Sequence, residues 1–360
     1  SLIPVGSEIE QINGVPIADI VATLLPLVKA DGANDDKRLF DLQLREGVGY
    51  ETFDVLFPLL FPPVEDAFLL EGVNLLTDEP FEVTVSATSA AARRSLLLAR
   101  YDDLPRSDEE LWQFELLNDE TAVLTMGTFA VWNLSLDWAQ FMEASFQTMQ
   151  DEQVENLVID IRGNEGGLTA VSEQLVTYIL PEGRIQLLNE TSRLQYEQVP
   201  ESLDPYLETW EPAIKDLRGQ VTPLPEGGYR MLDAFEPEMV LEFMPSPLAF
   251  DGEIYLLVGA GNSSATFELA NVLQANDVVI TVGQTTGGNL QGISGGQFFF
   301  LRLPNSGIEM DIPLLATVPL DAQPNAGLTP MVIVPQTVED VISGVDAELT
   351  AVLSLIESSR

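Results

Sequence analysis

Hydrophobic and polar positions in the first hundred residues follow a β-rich pattern. Phe81–Ala87 alternates apolar and polar side chains, which predicts a strand paired with a second strand at Phe68–Val73. An Asn-Gly turn precedes Ile17–Val28, whose apolar spacing predicts a helix, while the aromatic and proline-rich stretch Tyr50–Pro63 predicts a packed loop. The pattern therefore indicates a small β-rich module with helical insertions.

Beyond this module, short β-branched runs alternate with helical patterns. The predicted strands are Ala122–Met126, Asn156–Ile161, Ile254–Val258 and Val278–Val282, and the predicted helices are Leu136–Gln150, Leu168–Ile179, Ala265–Gln274 and Thr337–Glu357. Such alternation favours an α/β fold with a mostly parallel sheet. The charged segment Tyr101–Glu110 is the predicted boundary, which divides the chain into domains at 1–110 and 111–360. The proline- and glutamate-rich interval at about 181–247 predicts an insertion in the second domain, a lid or a substrate-facing flap.

Composition is compatible with two folded domains. The chain has 360 residues, 46% of them hydrophobic, and a mean hydropathy of +0.13, so it can bury a substantial core. No apolar run reaches the roughly 18 residues of a membrane-spanning helix. The first residues lack the basic and apolar regions of a signal peptide, and they read as the middle of a longer chain.

The charge balance and the missing residue types restrict the chemistry. Sixteen basic against 57 acidic residues give a net charge of −41, which argues against nucleic-acid binding. Adaptation to a salty environment and a generic acidic protein are both compatible with this charge. Cysteine and histidine are absent, which excludes disulfides, thiolate catalysis and the usual zinc ligands, and the acidic run Asp31–Asp36 does not match a calcium loop. We therefore expect no metal and no cofactor.

Two strand-to-helix turns are candidates for carrying chemistry. The segment Val158–Gly167 contains three glycines in its last five residues, so its N–H groups can face a phosphate or an oxyanion, although it can also be a plain connector. The lysine and hydroxyl of a phosphate-binding P-loop are missing from it. In Gly261-Asn262-Ser263-Ser264-Ala265, Ser264 stands at the start of a helix as a candidate nucleophile, although Ser263 or Ser264 can also be a plain helix cap.

A third turn makes the pattern specific. Val-Ile-Asp-Ile-Arg-Gly-Asn-Glu-Gly-Gly, Ser-Ser-Ala and then Gly-Gln-Thr-Thr-Gly-Gly-Asn occur in this order, and the combination resembles the signature of the tail-specific (C-terminal-processing) serine proteases. Gly6–Ile17 is similar to a stretch of the PDZ-like modules that precede the protease core in that family. The resemblance implies a ClpP/crotonase-like core, related to that of the tricorn protease, preceded by a smaller PDZ-like β-rich module.

The resemblance also implies roles for individual residues. Ser264 matches the nucleophile, Ala265 N–H and the backbone of Gly166 and Gly167 match the oxyanion hole, and the third turn implies substrate-binding residues at Gly287, Gly288 and Asn289. Asn289 stands where one branch of the family has its catalytic lysine, and the other branch uses histidine, which this chain lacks. Glu268, one helical turn after Ser264, is interpreted as a solvated carboxylate.

The general base is therefore the unresolved part of the site. Lys29 and Lys37 belong to the N-terminal module and Lys215 to the insertion, so only a fold-back of the chain brings a lysine near Ser264. Two hypotheses follow. One is a serine endopeptidase that acts on exported or unstructured polypeptides through an acyl-enzyme, with its base in a segment before Ser1.

The other hypothesis is a catalytically inactive pseudo-protease that binds peptides or serves a structural role. A crotonase-like acyl-CoA enzyme is a third alternative, disfavoured by the Ser-Ser-Ala turn and by the scarcity of basic residues for CoA phosphates. The expected partner is a polypeptide substrate or peptide ligand, with neither nucleic acid nor a membrane span. The resemblance further implies an exported, periplasmic or extracellular location, and the sequence predicts no oligomeric state.

Overall fold

The computed structural model describes residues 3–4, 6–44, 51–100, 107–232 and 240–359. The elements of its N-terminal part are β1 (Ser7–Ile12), β2 (Val15–Pro16), α1 (Ile17–Leu24), α2 (Asp35–Leu42), α3 (Thr52–Leu60), β3 (Ala67–Asn74), β4 (Glu79–Ser86) and α4 (Ala90–Arg100). The four strands form a sheet in the order β2-β1-β3-β4, and β3 pairs antiparallel with β4 as predicted. Ile20, Leu24 and Phe57 bury one face of α1 and α3 in a core of their own. This arrangement is compatible with the predicted PDZ-like module.

Two predictions in the N-terminal part are wrong in detail. The stretch predicted as a packed loop contains α3, in which Phe57 stacks on Phe53 at 4.9 Å and contacts Phe61 and Phe68. Aromatic packing thus stabilises a helix that contains Pro58, a residue unfavourable inside helices. The helix that starts at Ile17 ends at Leu24, and a short 3-10 turn, Leu25–Leu27, follows it. Pro26 has no N–H with which to continue the α-helical hydrogen bonds.

The larger part of the chain is built around a second sheet. Its elements are β5 (Trp112–Asn118), β6 (Thr121–Met126), α5 (Trp138–Glu152), β7 (Asn156–Asp160), α6 (Thr169–Ile179), β8 (Arg184–Gln186), β9 (Glu190–Arg193), β10 (Leu207–Glu208), β11 (Val221–Pro223), β12 (Tyr229–Met231), β13 (Val240–Glu242), β14 (Glu253–Val258), α7 (Ala265–Ala275), β15 (Ile280–Gly283), β16 (Ile293–Arg302), β17 (Glu309–Pro319), β18 (Val332–Ile333), α8 (Val338–Ser343) and α9 (Ala347–Ser358). The sheet has the order β18-β15-β14-β7-β6-β5 and is parallel except for β5. The predicted fold class, a mostly parallel α/β core, is confirmed.

Both faces of this sheet are covered, which explains the continuous apolar run of β14. Leu256 and Val258 face a core formed with α5, α6 and α7, whereas Tyr255 and Leu257 face the opposite side, where Val352 of α9 packs. Successive side chains of a strand point to opposite faces of the sheet, so a strand that is buried on both faces is apolar at consecutive positions. Because β7 and β14 are parallel neighbours, their carboxyl ends lie side by side.

The predicted C-terminal helix Thr337–Glu357 is wrong as a single element. Gly344 adopts a left-handed conformation with φ of +66° and ends α8. A new helix, α9, then begins at Ala347, and its N-cap residue Asp346 accepts a hydrogen bond from Leu349 N. The apolar spacing runs through both helices, which is why the sequence pattern did not reveal the break.

The predicted insertion contributes to a separate small sheet. Strands β10, β16, β17 and β9 form it in that order. Segments from the interval 181–247 therefore pair with the β16–β17 hairpin, which follows the third turn, Gly283–Asn289. Leu194, Val199 and Phe299 are among the residues of its core. The domain bounds at 1–110 and 111–360 stay a prediction, and residues 101–106 of the expected boundary lie outside the described residues. Within the described ranges, no helix is long and apolar enough to span a bilayer.

Candidate active site

The first turn, at the end of Val158–Gly167, and the second turn, Gly261–Ala265, lie against each other at the carboxyl ends of β7 and β14. The two strands are parallel neighbours, with Leu257 opposite Asp160, so the turns that follow them leave the sheet at the same edge. A Cβ added at Gly166 would lie 2.8 Å from the Cβ of Ser264 and 3.1 Å from Ala265 N. The structure therefore brings Ser264, Ala265 and the Gly166–Gly167 pair together at one edge of the sheet.

Ser264 has the backbone geometry of a strained turn. Its φ of +52° and ψ of −132° are unusual for a residue with a side chain. Although it precedes α7 directly, its side chain accepts no capping hydrogen bond from the helix, and the residue is exposed. The helix-cap interpretation of Ser264 is therefore wrong in this structure. The neighbouring Ser263 hydroxyl instead donates to the carbonyl oxygen of Glu165 at 3.0 Å.

Buried polar side chains hold the two turns together, and sequence reasoning assigned them no role. Asn262 accepts a hydrogen bond from Gly259 N at 2.8 Å and donates to the carbonyl oxygen of Ile161. The Thr266 hydroxyl donates to the carbonyl oxygen of Asn164 at 2.8 Å. Asn262, Thr266 and Asn164 are each fully buried. The only sequence signal for them was their position inside the two motifs.

The two adjacent glycines of the first turn differ in whether their backbone N–H is already bonded. Gly166 N donates to the Asn164 side-chain oxygen at 2.9 Å, so its N–H is engaged. None of the hydrogen bonds identified among the described residues uses the N–H of Gly167 or that of Ala265. These two donors belong to adjacent turns and border the same cavity. A pair of fixed N–H groups beside a hydroxyl is the arrangement that stabilises an oxyanion formed on an attacked carbonyl.

The third glycine-rich turn supports the second turn from behind. Gly287 N donates to the carbonyl oxygen of Asn262 at 2.8 Å, and a Cβ at Gly288 would overlap the ring of Phe267. Asn289 is 1% exposed, and its amide donates to the carbonyl oxygen of Asp31 at 3.0 Å. None of Gly287, Gly288 and Asn289 is among the lining residues of the cavity beside Ser264. Their assignment as substrate-binding residues stays a prediction.

The N-terminal helix α2 packs against all three turns. The Asn34 amide donates to the carbonyl oxygens of Thr286 and Gly288, at 2.8 and 2.6 Å, and the ring of Phe40 fills the space that a side chain at Gly261 would occupy. The Lys37 ammonium lies 3.2 Å from a carboxylate oxygen of Glu165. The fold-back that could bring a lysine toward the site thus exists.

Lys37 is nevertheless ion-paired with two carboxylates. It is 4% exposed, and its ammonium lies 3.0 Å from buried Asp41 as well as close to Glu165. Of the other two lysines, Lys215 pairs with Asp204 in the insertion and Lys29 is exposed. Within the described ranges, no hydrogen bond joins a lysine to the Ser264 hydroxyl. The fold-back therefore stabilises the turns and does not supply a base.

Arg162, in the first motif, anchors the same edge of the sheet from the other side. Its guanidinium bonds to Asp160, Asp346 and Glu348, which link β7 to the start of α9. Burial opposes the charged form of Arg162, but the hydrogen bonds to these carboxylates outweigh it and raise its pKa further above the ordinary value. The arginine thus remains charged and fixes the end of β7.

A cavity of about 760 Å³ opens beside Ser264. Apolar side chains form most of its wall, namely Trp132, Leu168, Trp210, Ile293, Phe298 and Leu315. Glu268 also lines it and is half-buried, so its interpretation as a solvated carboxylate is wrong. Burial first, and then repulsion from Glu190, raise the pKa of Glu268 to about 7. Among the described residues, no cluster of three or more acidic side chains is arranged to hold a metal ion.

Comparisons with known proteins bear on the family and the fold of the chain. The model of peptidase family S41 matches residues 120–309, just over half of the chain. The structure of mature CPAF is similar at 18% identity and a TM-score of 0.60, over 99% of this chain and 77% of that one. CPAF complexed with lactacystin gives 18% identity, a TM-score of 0.59 and the same coverage. The photosystem II D1 C-terminal processing protease is matched at 14% identity and a TM-score of 0.39, over 95% and 68% of the two chains. No curated protein sequence matches the chain.

Proposed function

The chain belongs to peptidase family S41, and from this premise we propose that it is a serine endopeptidase whose nucleophile is Ser264. Family membership supports a serine protease that acts on polypeptides. The observation that carries the finer proposal is the convergence of Ser264 with the N–H groups of Gly167 and Ala265 at one cavity. Family resemblance further suggests that the substrates are exported or unstructured polypeptides and that the protein is exported, periplasmic or extracellular.

In the proposed reaction, the Ser264 hydroxyl oxygen bonds to the carbonyl carbon of the scissile peptide as its proton passes to a base. The resulting oxyanion accepts hydrogen bonds from Gly167 and Ala265 N–H. The amine product then leaves with a proton from that base, which forms an acyl-enzyme at Ser264. Water activated by the same base attacks the ester, releases the acid product and regenerates the hydroxyl.

We infer that the base comes from outside these 360 residues. The sequence contains no histidine, and the buried lysine near the site is paired with two carboxylates. No hydrogen bond connects Glu268 to the Ser264 hydroxyl in the described part of the chain, and a carboxylate alone is a weak base toward a serine hydroxyl. A base supplied by another polypeptide segment or subunit satisfies the chemistry of the nucleophile.

Labelling with a fluorophosphonate probe tests the nucleophile and the base together. We expect the 360-residue chain to label weakly, and added imidazole to increase labelling by acting as a diffusible base. Ser264→Ala is expected to abolish labelling, whereas Ser263→Ala, which changes the adjacent serine, is expected to retain it. Strong labelling without imidazole would show that the chain contains its own base, with Glu268 the first residue to replace.

The alternative function is a peptide-binding or structural pseudo-protease. The observation that favours it is the absence, from the whole sequence, of the histidine that one branch of the family uses, together with asparagine at position 289, where the other branch has lysine. If Ser264 does not label even with imidazole, and the chain nevertheless binds unstructured peptides, the pseudo-protease replaces the peptidase as the function of this fold.

A further inference from the structure

The cavity beside Ser264 combines an apolar wall with one acidic group. Trp132, Trp210 and Phe298 supply aromatic surface, and Trp210 packs 5.6 Å from Phe298 between ring centres. Gly296, at a φ of +69°, is one of the glycines that keep part of the wall free of side chains. Glu268 is the only ionisable residue among the described residues that line the cavity.

A half-buried acid in such a wall is unfavourable unless something compensates its charge. Within the described ranges no lysine or arginine forms an ion pair with Glu268, and the charged group that acts on it is another acid, Glu190. The protein thus presents a carboxyl group whose ionisation is opposed by its surroundings. A cation that entered the cavity would provide the compensation that the protein itself does not.

We propose that Glu268 selects a lysine or arginine side chain of the polypeptide substrate, which enters the cavity beside Ser264. The methylene stem of that side chain packs on the apolar wall while its charged end pairs with the Glu268 carboxylate. Trp132 and Trp210 add the attraction of aromatic faces for a cation. The net charge of −41 attracts basic segments toward the protein from a distance. The inference rests on the proposed function because it assigns the cavity to the substrate of Ser264.

Peptide binding to the Ser264→Ala chain tests the proposal without turnover. Three fluorescein-labelled, unstructured peptides are compared by fluorescence anisotropy, identical except for one central lysine, norleucine or glutamate. Norleucine retains the stem of lysine and lacks the charge. Near neutral pH and at low salt, we expect the lysine peptide to bind about tenfold more tightly than the norleucine peptide and the glutamate peptide to bind most weakly.

The charge of Glu268 is then removed in the same background. Glu268→Gln is expected to reduce the preference for lysine over norleucine to less than about twofold. Glu357→Gln is the matched control, because it removes one charge from an exposed residue of α9, on the opposite face of the sheet. The control is expected to keep the preference. Equal binding of lysine and norleucine peptides, a preference that survives Glu268→Gln, or no binding of any peptide would each overturn the proposal.

The outcome is separable from that of the proposed function. A Glu268-dependent preference for lysine in a chain whose Ser264 never labels would refute the peptidase and leave the cation-selecting role intact. Labelling and cleavage of peptides without any such preference would refute the role of Glu268 and leave the peptidase intact.

Discussion

Replacing Glu268 by glutamine is expected to stabilise the protein, and to do so more at alkaline than at mildly acidic pH. In the folded state the pKa of Glu268 is raised from 4.5 to about 7, chiefly by burial. As the pH rises above 4.5, the unfolded chain loses this proton while the folded protein keeps it, so the carboxyl group progressively favours unfolding. Above the folded pKa, the folded protein carries the full cost of an ionised group in an apolar wall. Glutamine keeps the shape of the side chain and never ionises.

The magnitude follows from the two pKa values. A rise from 4.5 to about 7 corresponds to about 3 kcal/mol at a pH above both values. Glu268 is half-buried, so solvent reduces this to about 2 kcal/mol at about pH 8 and to about 1 kcal/mol at about pH 5.5. The glutamine variant is therefore expected to gain about 1 kcal/mol more at the higher pH than at the lower one.

Urea unfolding, followed by far-ultraviolet circular dichroism at both pH values, measures this gain as a change in the free energy of unfolding. Glu357→Gln, at an exposed position, is the control for the general effect of removing one negative charge. Its effect is expected to be small and the same at both pH values. If the Glu268→Gln gain does not change with pH, or if the variant is less stable at about pH 8, the burial of an uncompensated carboxyl group is refuted.

Three further predictions concern the turns, the packing of α2 and the surface charge. Gly167→Ala is expected to lower the free energy of unfolding by about 2–4 kcal/mol, because its Cβ would overlap the backbone of Phe129 and Ala130. Gly163→Ala, whose Cβ has no atom within 4 Å, should lower it by less than about 1 kcal/mol in the same urea titration, and similar losses for the two variants would contradict the close approach at Gly167. Lys37→Met removes the ammonium 3.0 Å from buried Asp41 and is expected to lower the free energy of unfolding by about 3–5 kcal/mol, against less than about 0.5 kcal/mol for exposed Lys29→Met. Comparable values for the two variants would mean that the buried ion pair contributes nothing to stability. The melting temperature is expected to rise between low and near-molar NaCl as ions screen the charge of −41, and a flat or falling value would remove the case for salt adaptation.

Local sequence signals were sufficient where a structural feature depends on neighbours along the chain. The strands β6, β7 and β14 and the helices α5, α6 and α7 were predicted to within about two residues, because their apolar runs and turn residues are local. The order of the three glycine-rich turns was likewise sufficient to identify the family and its fold. The break between α8 and α9 escaped prediction even though Gly344 was visible, since the apolar spacing continues across it.

Features that depend on residues distant in the sequence were decided by the tertiary structure. Nothing near Glu268 in the chain indicates that it lines the cavity or that the charge of Glu190 acts on it, so a carboxylate expected in solvent is half-buried. Lys37 approaches the first turn only because α2 packs on the core, more than a hundred residues away in sequence. The hydrogen bond from Gly166 N to the Asn164 side chain likewise depends on how the turn folds. Sequence determines which residue types occur and the local structure they favour, whereas burial, pKa and hydrogen-bond partners depend on which distant segments fold against them.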